Sequence, residues 1–269
     1  MNTLTKPVAV TAALLLPAQG NAERLETAGL LKLGYSDGRE ETVGIEDVNQ
    51  ILSSVGVRVS TVALPEQALP ILEASHSRAT TEDEDAQLIS AFALTREELL
   101  AEIKAAGRKP TVENGGNLVT SEPDVAPYPK VYDMMKMDAG SRAWVQNRFG
   151  PLHINHSENG IGIDEVMTIV SGGPWIWFFE LPGEITGKLT LGYVGLDGEA
   201  WRVSYPGIRP HGGFLDPDFG LVVAYAHGPD QFDIHFENDN IANSALVGGN
   251  VWIDTSGDVP VLLETPASH

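Results

Sequence analysis

The sequence predicts an α+β protein, a small N-terminal α+β unit followed by a C-terminal antiparallel β-barrel or sandwich. Three observations carry this. From Pro151 onward, short runs of period-2 alternation fall at 151–156, 163–171, 174–181, 187–194, 199–205, 220–227, 231–237 and 250–254, with Gly, Pro, Asn or Asp between most of them. Before residue 107 the alternation is mixed with helical spacing and helix-start signals. Between the two regions, residues 108–130 bring Pro110, Gly115, Gly116, Pro123, Pro127 and Pro129 with little periodicity, the composition of a linker or extended arm. The expected divisions are 1–22, 23–107, 108–130 and 131–269.

Residues 1–22 have Lys6, an apolar run from Val8 to Leu16 and a small-residue end at Gly20-Asn21-Ala22. That pattern is either a secretory signal peptide or a first structural element. Residues 30–45 read as a hairpin turning at Ser36-Asp37-Gly38. Ile45, Val48, Ile51 and Leu52 have helical spacing with Gly56 as a stop, and Val57 to Val62 alternate as a strand. Thr81 with Glu84 and Thr95 with Glu98 form capping boxes, which start helices running to about Phe92 and Ala106. His76 reads as solvated. A further short helix is expected over residues 139–149.

Composition narrows the function classes. A formal charge of -20 without a basic cluster argues against nucleic acid and anionic membrane surfaces. With no cysteine, disulfides, thiolate metal sites and a cysteine nucleophile are excluded, so any metal must use His and carboxylate. The sequence has no Gly-x-Ser-x-Gly elbow, no P-loop and no Gly-x-Gly-x-x-Gly before a helix. Lys188, beside Thr190 and Gly192, does not look like a Schiff-base lysine. The partner expected is a small-molecule substrate, with a homo-oligomer open, and the compartment is cytoplasmic unless residues 1–22 are a leader.

Chemistry is expected in residues 150–173. Alternation puts His153 and Asn155 on one strand face and Ile154 and His156 on the other, so only one of the two histidines points inward. Asn159-Gly160 supplies a turn, and on the return strand Glu165 shares a face with Met167 and Ile169. A carboxylate among apolar residues must be paired, hydrogen-bonded or metal-bound, and burial alone raises its pKa toward acid–base use. Glu165 is therefore the first catalytic candidate, with His156 or His153 as its acid–base partner. The plainer alternative pairs Glu165 with Arg142, Arg148 or Arg202. His211 lies in the Pro/Gly-rich stretch Arg209-Pro210-His211-Gly212-Gly213, and His227 ends an alternating strand. His235 shares a face with Gln231, Asp233 and Glu237 and reads as solvent-facing. Trp175 to Phe179 and the set Trp201, Val203 and Tyr205 supply core or pocket lining.

His153, Glu165 and Gly172, followed by Pro206-Gly207 and His211, resemble the two motifs of the cupin superfamily. The resemblance implies a double-stranded β-helix with His153 and Glu165 as possible metal ligands. It departs from the family pattern where Asn155 stands at the second histidine position, where Pro206 and Gly207 are adjacent, and where no Asn follows His211. A site of two histidines and a carboxylate suits Fe, Mn, Zn or Ni, with His153, Glu165, His211 and His227 as the candidate ligands. Three functions follow: a metal-dependent oxygenase, isomerase or lyase; a metal-free acid–base cyclase, isomerase or lyase using Glu165 and a histidine; and a non-catalytic ligand-binding β domain.

Overall fold

The computed structural model describes residues 29–110, 116–215 and 217–267. Residues 1–22, read above as a leader or first element, lie outside the described residues, as does His269. In chain order the elements are β1 (Leu31–Tyr35), β2 (Thr42–Val43), α1 (Ile45–Leu52), β3 (Arg58–Ala63), α2 (Leu69–Ala74), α3 (Glu82–Ala91) and α4 (Arg96–Ala105). There follow β4 (Val119–Thr120), β5 (Lys130–Asp133), α5 (Ala139–Phe149), β6 (Ile154–His156), β7 (Asp164–Gly172), β8 (Trp175–Leu181) and β9 (Ile185–Leu191). The chain ends with β10 (Glu199–Pro206), β11 (His211–Phe214), β12 (Gly220–His227), β13 (Gln231–His235), β14 (Ile253–Asp254) and β15 (Val261–Leu262). Both capping boxes form, with the Thr81 and Thr95 side chains accepting from the amides of Glu84 and Glu98.

The strands form two antiparallel five-stranded sheets, ordered β11-β8-β9-β1-β2 and β3-β10-β7-β12-β5. A smaller sheet, β4-β13-β6, joins the first where the backbones of His153 and His211 exchange hydrogen bonds of 2.9 and 3.0 Å. Taken together, β5 to β12 run in the orders β5-β12-β7-β10 and β6-β11-β8-β9, which is the topology of an eight-stranded jelly roll. Strands from before residue 107 widen both sheets: β1 pairs with β9, and β3 pairs with β10.

Each jelly-roll sheet is buried on both faces, which is why β7 and β12 are buried along their whole lengths. Inside, Met167, Ile169, Trp177, Phe179, Val203, Tyr205, Val222 and Ala224 belong to one core. Outside β7, β10 and β12, residues such as Val170, Ala200 and Val223 pack on Leu72, Leu88 and Phe92 of the helices. Outside β8, Ile176 and Phe178 pack on Trp252 and Ile253. The alternating aromatic run thus feeds two cores at once. Trp252 and the carbonyls of Leu263 and Glu264 also cover Lys188, whose Nζ donates to both carbonyls. Its strand face is therefore buried, and its ammonium is held by backbone. His76 is half-buried against the Phe219 ring at 4.6 Å, in place of the solvated position expected. Among the described residues, no helix is long and apolar enough to cross a membrane.

Candidate active site in the barrel interior

The strand phase of residues 153–156 and 164–170 decides which side chains meet. Glu165 points into the barrel and is 2% exposed. Its register partners, Tyr205 on β10 and Ala226 on β12, flank it on the same face. Across the interior, the His153–His211 bridge delivers two imidazoles from the opposite sheet, with ring centroids 4.5 Å apart. Asn155, two residues beyond His153, lies on the same inner face.

Glu165 is satisfied at both oxygens. Tyr128 Oη donates to Oε1 at 2.5 Å, Asn155 Nδ2 donates to Oε2 at 2.9 Å, and His211 Nε2 lies 3.1 Å from Oε2. Burial pushes the carboxyl pKa up, but the contacts with His211, Tyr128 and Asn155 outweigh it and hold the group down at about 2. Here the sequence expectation is reversed. Burial alone would have made Glu165 a proton carrier, whereas its three polar partners make it a fixed anion.

The histidines are oriented from behind. His153 Nδ1 lies 2.9 Å from the Pro151 carbonyl and His211 Nδ1 lies 2.8 Å from that of Arg209. A carbonyl accepts only, so each Nδ1 carries the proton. In the neutral rings the lone pair is then on Nε2. Burial, with His211 alongside, depresses His153 to about 3, so it is neutral. Carbonyl-anchored imidazoles of this kind are the usual arrangement behind metal ligands.

Two further interior groups were not singled out from the sequence. Tyr128 comes from the Pro-rich stretch read as an arm, and Lys130 opens β5. Burial lowers the Lys130 pKa to about 8, with Glu165 opposing. Its Nζ donates to the Ala126 carbonyl at 3.1 Å and lies 4.4 Å from the Tyr128 ring centroid. The period-2 pair Lys130 and Tyr132 was the available signal, masked by Pro127 and Pro129. The remaining space, about 60 Å³, is bounded by these polar groups and by Met167, Trp177, Leu215 and Val222. It has room for a few water molecules or a compact ligand.

Of the residues expected from sequence, the structure brings Glu165, His153 and His211 into this interior. His211 reaches it from a strand and not from the loop expected, because Gly212 and Gly213 pair with Phe178 and Trp177 of β8. His227 does not join them. It faces outward beside Asp164 at 3.9 Å, where Arg108 pairs with Asp164 and with Ser204. His156 also faces away from Glu165, as its phase requires, and contacts Asp239 and His235. None of Arg142, Arg148 or Arg202 is the partner of Glu165. Arg142 binds backbone carbonyls, Arg148 binds Glu122, and Arg202 lies near Glu102.

No known family profile matches the chain, and no curated protein matches its sequence. Among solved structures, the fold is similar to acireductone dioxygenase from Bacillus anthracis with a cadmium ion in its active centre. That likeness has a TM-score of 0.47 and 14% identity, over 74% of this chain and 92% of that one.

One test of metal fit lies in the donor atoms themselves. His211 Nε2 and a Glu165 oxygen are 3.1 Å apart, the spacing of neighbouring ligands on one ion, and the carboxylate is anionic. His153 lines the same space but does not close into a compact trio with them. Among the described residues, the trio whose ligand atoms all lie within 4.8 Å of one another is His156, His235 and Asp239.

Proposed function

We propose that this protein is a small-molecule enzyme whose site is the barrel interior around Glu165, with a divalent metal held by Glu165 and His211 and with His153 as the next nitrogen. The observation that carries this is the buried, anionic Glu165 beside two imidazoles whose Nδ1 atoms are both tied to backbone carbonyls. The jelly-roll order of the strands supports a cupin-like reading. A bound ion would supply a Lewis acid or redox centre for oxygenase, isomerase or lyase chemistry.

The chain's own groups do the rest. Tyr128 and Asn155 hold the carboxylate in place, and the carbonyls of Pro151 and Arg209 fix the ring tautomers. Lys130, with a pKa near 8, exchanges a proton near neutrality and faces the same space. Met167, Trp177 and Val222 exclude water from one side, and the small volume restricts the substrate to a compact organic molecule.

A second reading, acid–base chemistry without a metal, is favoured by the direct contact of His211 with Glu165, which is complete as it stands. Here Lys130 and His211 would move protons and Glu165 would orient His211. Metal analysis of untagged protein separates the two. Under the first reading, Glu165→Ala and His211→Ala each lower bound metal by one equivalent per chain relative to wild type. Equal metal content in all three proteins would sink it and leave the second.

A further inference from the structure

On the outer face of β6 and β13, away from the barrel interior, a second set of ligand-type side chains meets. His156 stands opposite Asp233 in the antiparallel register and His235 lies two residues further on, so the two histidines are diagonal neighbours on one face. Their rings stack with centroids 3.8 Å apart and planes 8° from parallel. Asp239, in the segment after β13, brings Oδ2 to 3.1 Å from His156 Nε2.

Two of the three groups are held from the far side. His156 Nδ1 faces the Ser157 carbonyl at 2.8 Å and so carries the proton, leaving the Nε2 lone pair toward Asp239 in the neutral ring. Asp239 Oδ1 accepts from the amides of Ile241 and Ala242 at 2.8 and 2.9 Å, leaving Oδ2 for a cation. His235 supplies the independent observation. Its Nε2 is buried and makes no hydrogen bond, a state that costs free energy unless a non-protein group meets that atom. Two stacked imidazoles cannot both carry a positive charge cheaply.

We propose that His156, His235 and Asp239 form a second, structural site for a divalent transition-metal ion of the zinc type, which fastens the segment after β13 to the sheet. Two imidazoles and one carboxylate, with solvent completing the shell, suit such an ion. Backbone hydrogen bonds and the packing of Leu246 and Val251 also hold this segment. Gly248 donates to the Leu152 carbonyl at 2.7 Å, and Leu152 donates to that of Gly249 at 2.9 Å. Phe236, next to His235 in the chain, packs with its ring centroid 5.4 Å from that of His153. An ion here steadies the wall behind His153 without taking part in chemistry inside.

The test is zinc titration of the metal-stripped full chain by equilibrium dialysis, with melting temperatures read in parallel. His235→Phe keeps a stacked ring but removes a ligand, and Asp239→Asn keeps the shape but removes the charge. Each is expected to weaken one zinc equivalent at least tenfold. Zinc at a hundredfold of its dissociation constant should raise the wild-type melting temperature by about 5 °C and leave both variants nearly unmoved. Unchanged zinc affinity and stoichiometry in both variants would overturn the site. Glu165→Ala separates this inference from the interior reading. If the interior holds no metal, wild type and Glu165→Ala both bind one zinc with equal affinity, and His235→Phe binds it at least tenfold more weakly.

Discussion

Glu165 shows what a single side chain's partners decide. Its ordinary carboxylate pKa of 4.5 falls to about 2 in the folded barrel. A depressed carboxylate contributes stability that is complete above the unfolded value and is lost as pH falls toward the folded one. A drop of that size is worth about 3 kcal/mol at neutral pH. The expected outcome is that wild type loses stability between pH 5 and 2 more steeply than Glu165→Gln, as followed by denaturant unfolding at stepped pH. Parallel pH profiles for the two proteins would refute it. At pH 7 the amide has one acceptor oxygen where the carboxylate has two, so either Tyr128 or Asn155 loses its acceptor. Glu165→Gln should cost about 2 kcal/mol by the same measurement. Strand phase in the sequence was enough to find this residue and to part His153 from His156. The direction of the pKa was not legible, because it depends on Tyr128 and His211, which lie 37 and 46 positions away and arrive through tertiary folding.

Among the elements, β11 is the one whose role was hidden. Its sequence, His211-Gly212-Gly213-Phe214, has the composition of a loop, yet it pairs with β8 and carries His211 into the interior. The glycine beside the histidine explains why. A Cβ on Gly212 would come within 2.8 Å of the Gly150 carbonyl and 3.0 Å of that of Phe149, so the end of α5 can pass this close only over a bare backbone. Gly212→Ala is expected to push β11 from the 149–151 segment, which also supplies the carbonyl that orients His153. A loss of about 1–3 kcal/mol follows from overpacking. Under the proposed function it comes with weakened interior metal binding. Thermal unfolding and metal content measured on the same preparation check both, and an unchanged melting temperature would mean the backbone accommodates the methyl group. The same masking hid β5, where Pro127 and Pro129 disguised a strand start. The helices with capping boxes and the long alternating strands were legible because their signals are local.

At the scale of the whole molecule, the two halves distinguished by composition share their sheets. Leu33 and Val59, both fully buried, enter the same core as Trp177 and Val203 through the pairing of β1 with β9 and of β3 with β10. Residues of α2 and α3 cover the outer face of β7, β10 and β12. Sheet pairing between distant segments leaves no period in a sequence, which is why a linker-like composition at 108–130 reads as a boundary while the architecture runs across it. Without the first 107 residues, β9 and β10 would become bare edges and the apolar outer face beneath the helices would meet water. A chain beginning at Arg108 is therefore expected to lack a cooperative thermal transition and to aggregate at concentrations where the full chain stays monodisperse. Adding residues 29–107 as a separate polypeptide should restore part of the transition, since the missing pieces are whole strands and helices with ready-made partners. Circular dichroism melts and light scattering on the fragment alone and on the mixture would decide it. A sharp, reversible melt of the fragment alone would show that the jelly roll closes without its N-terminal strands.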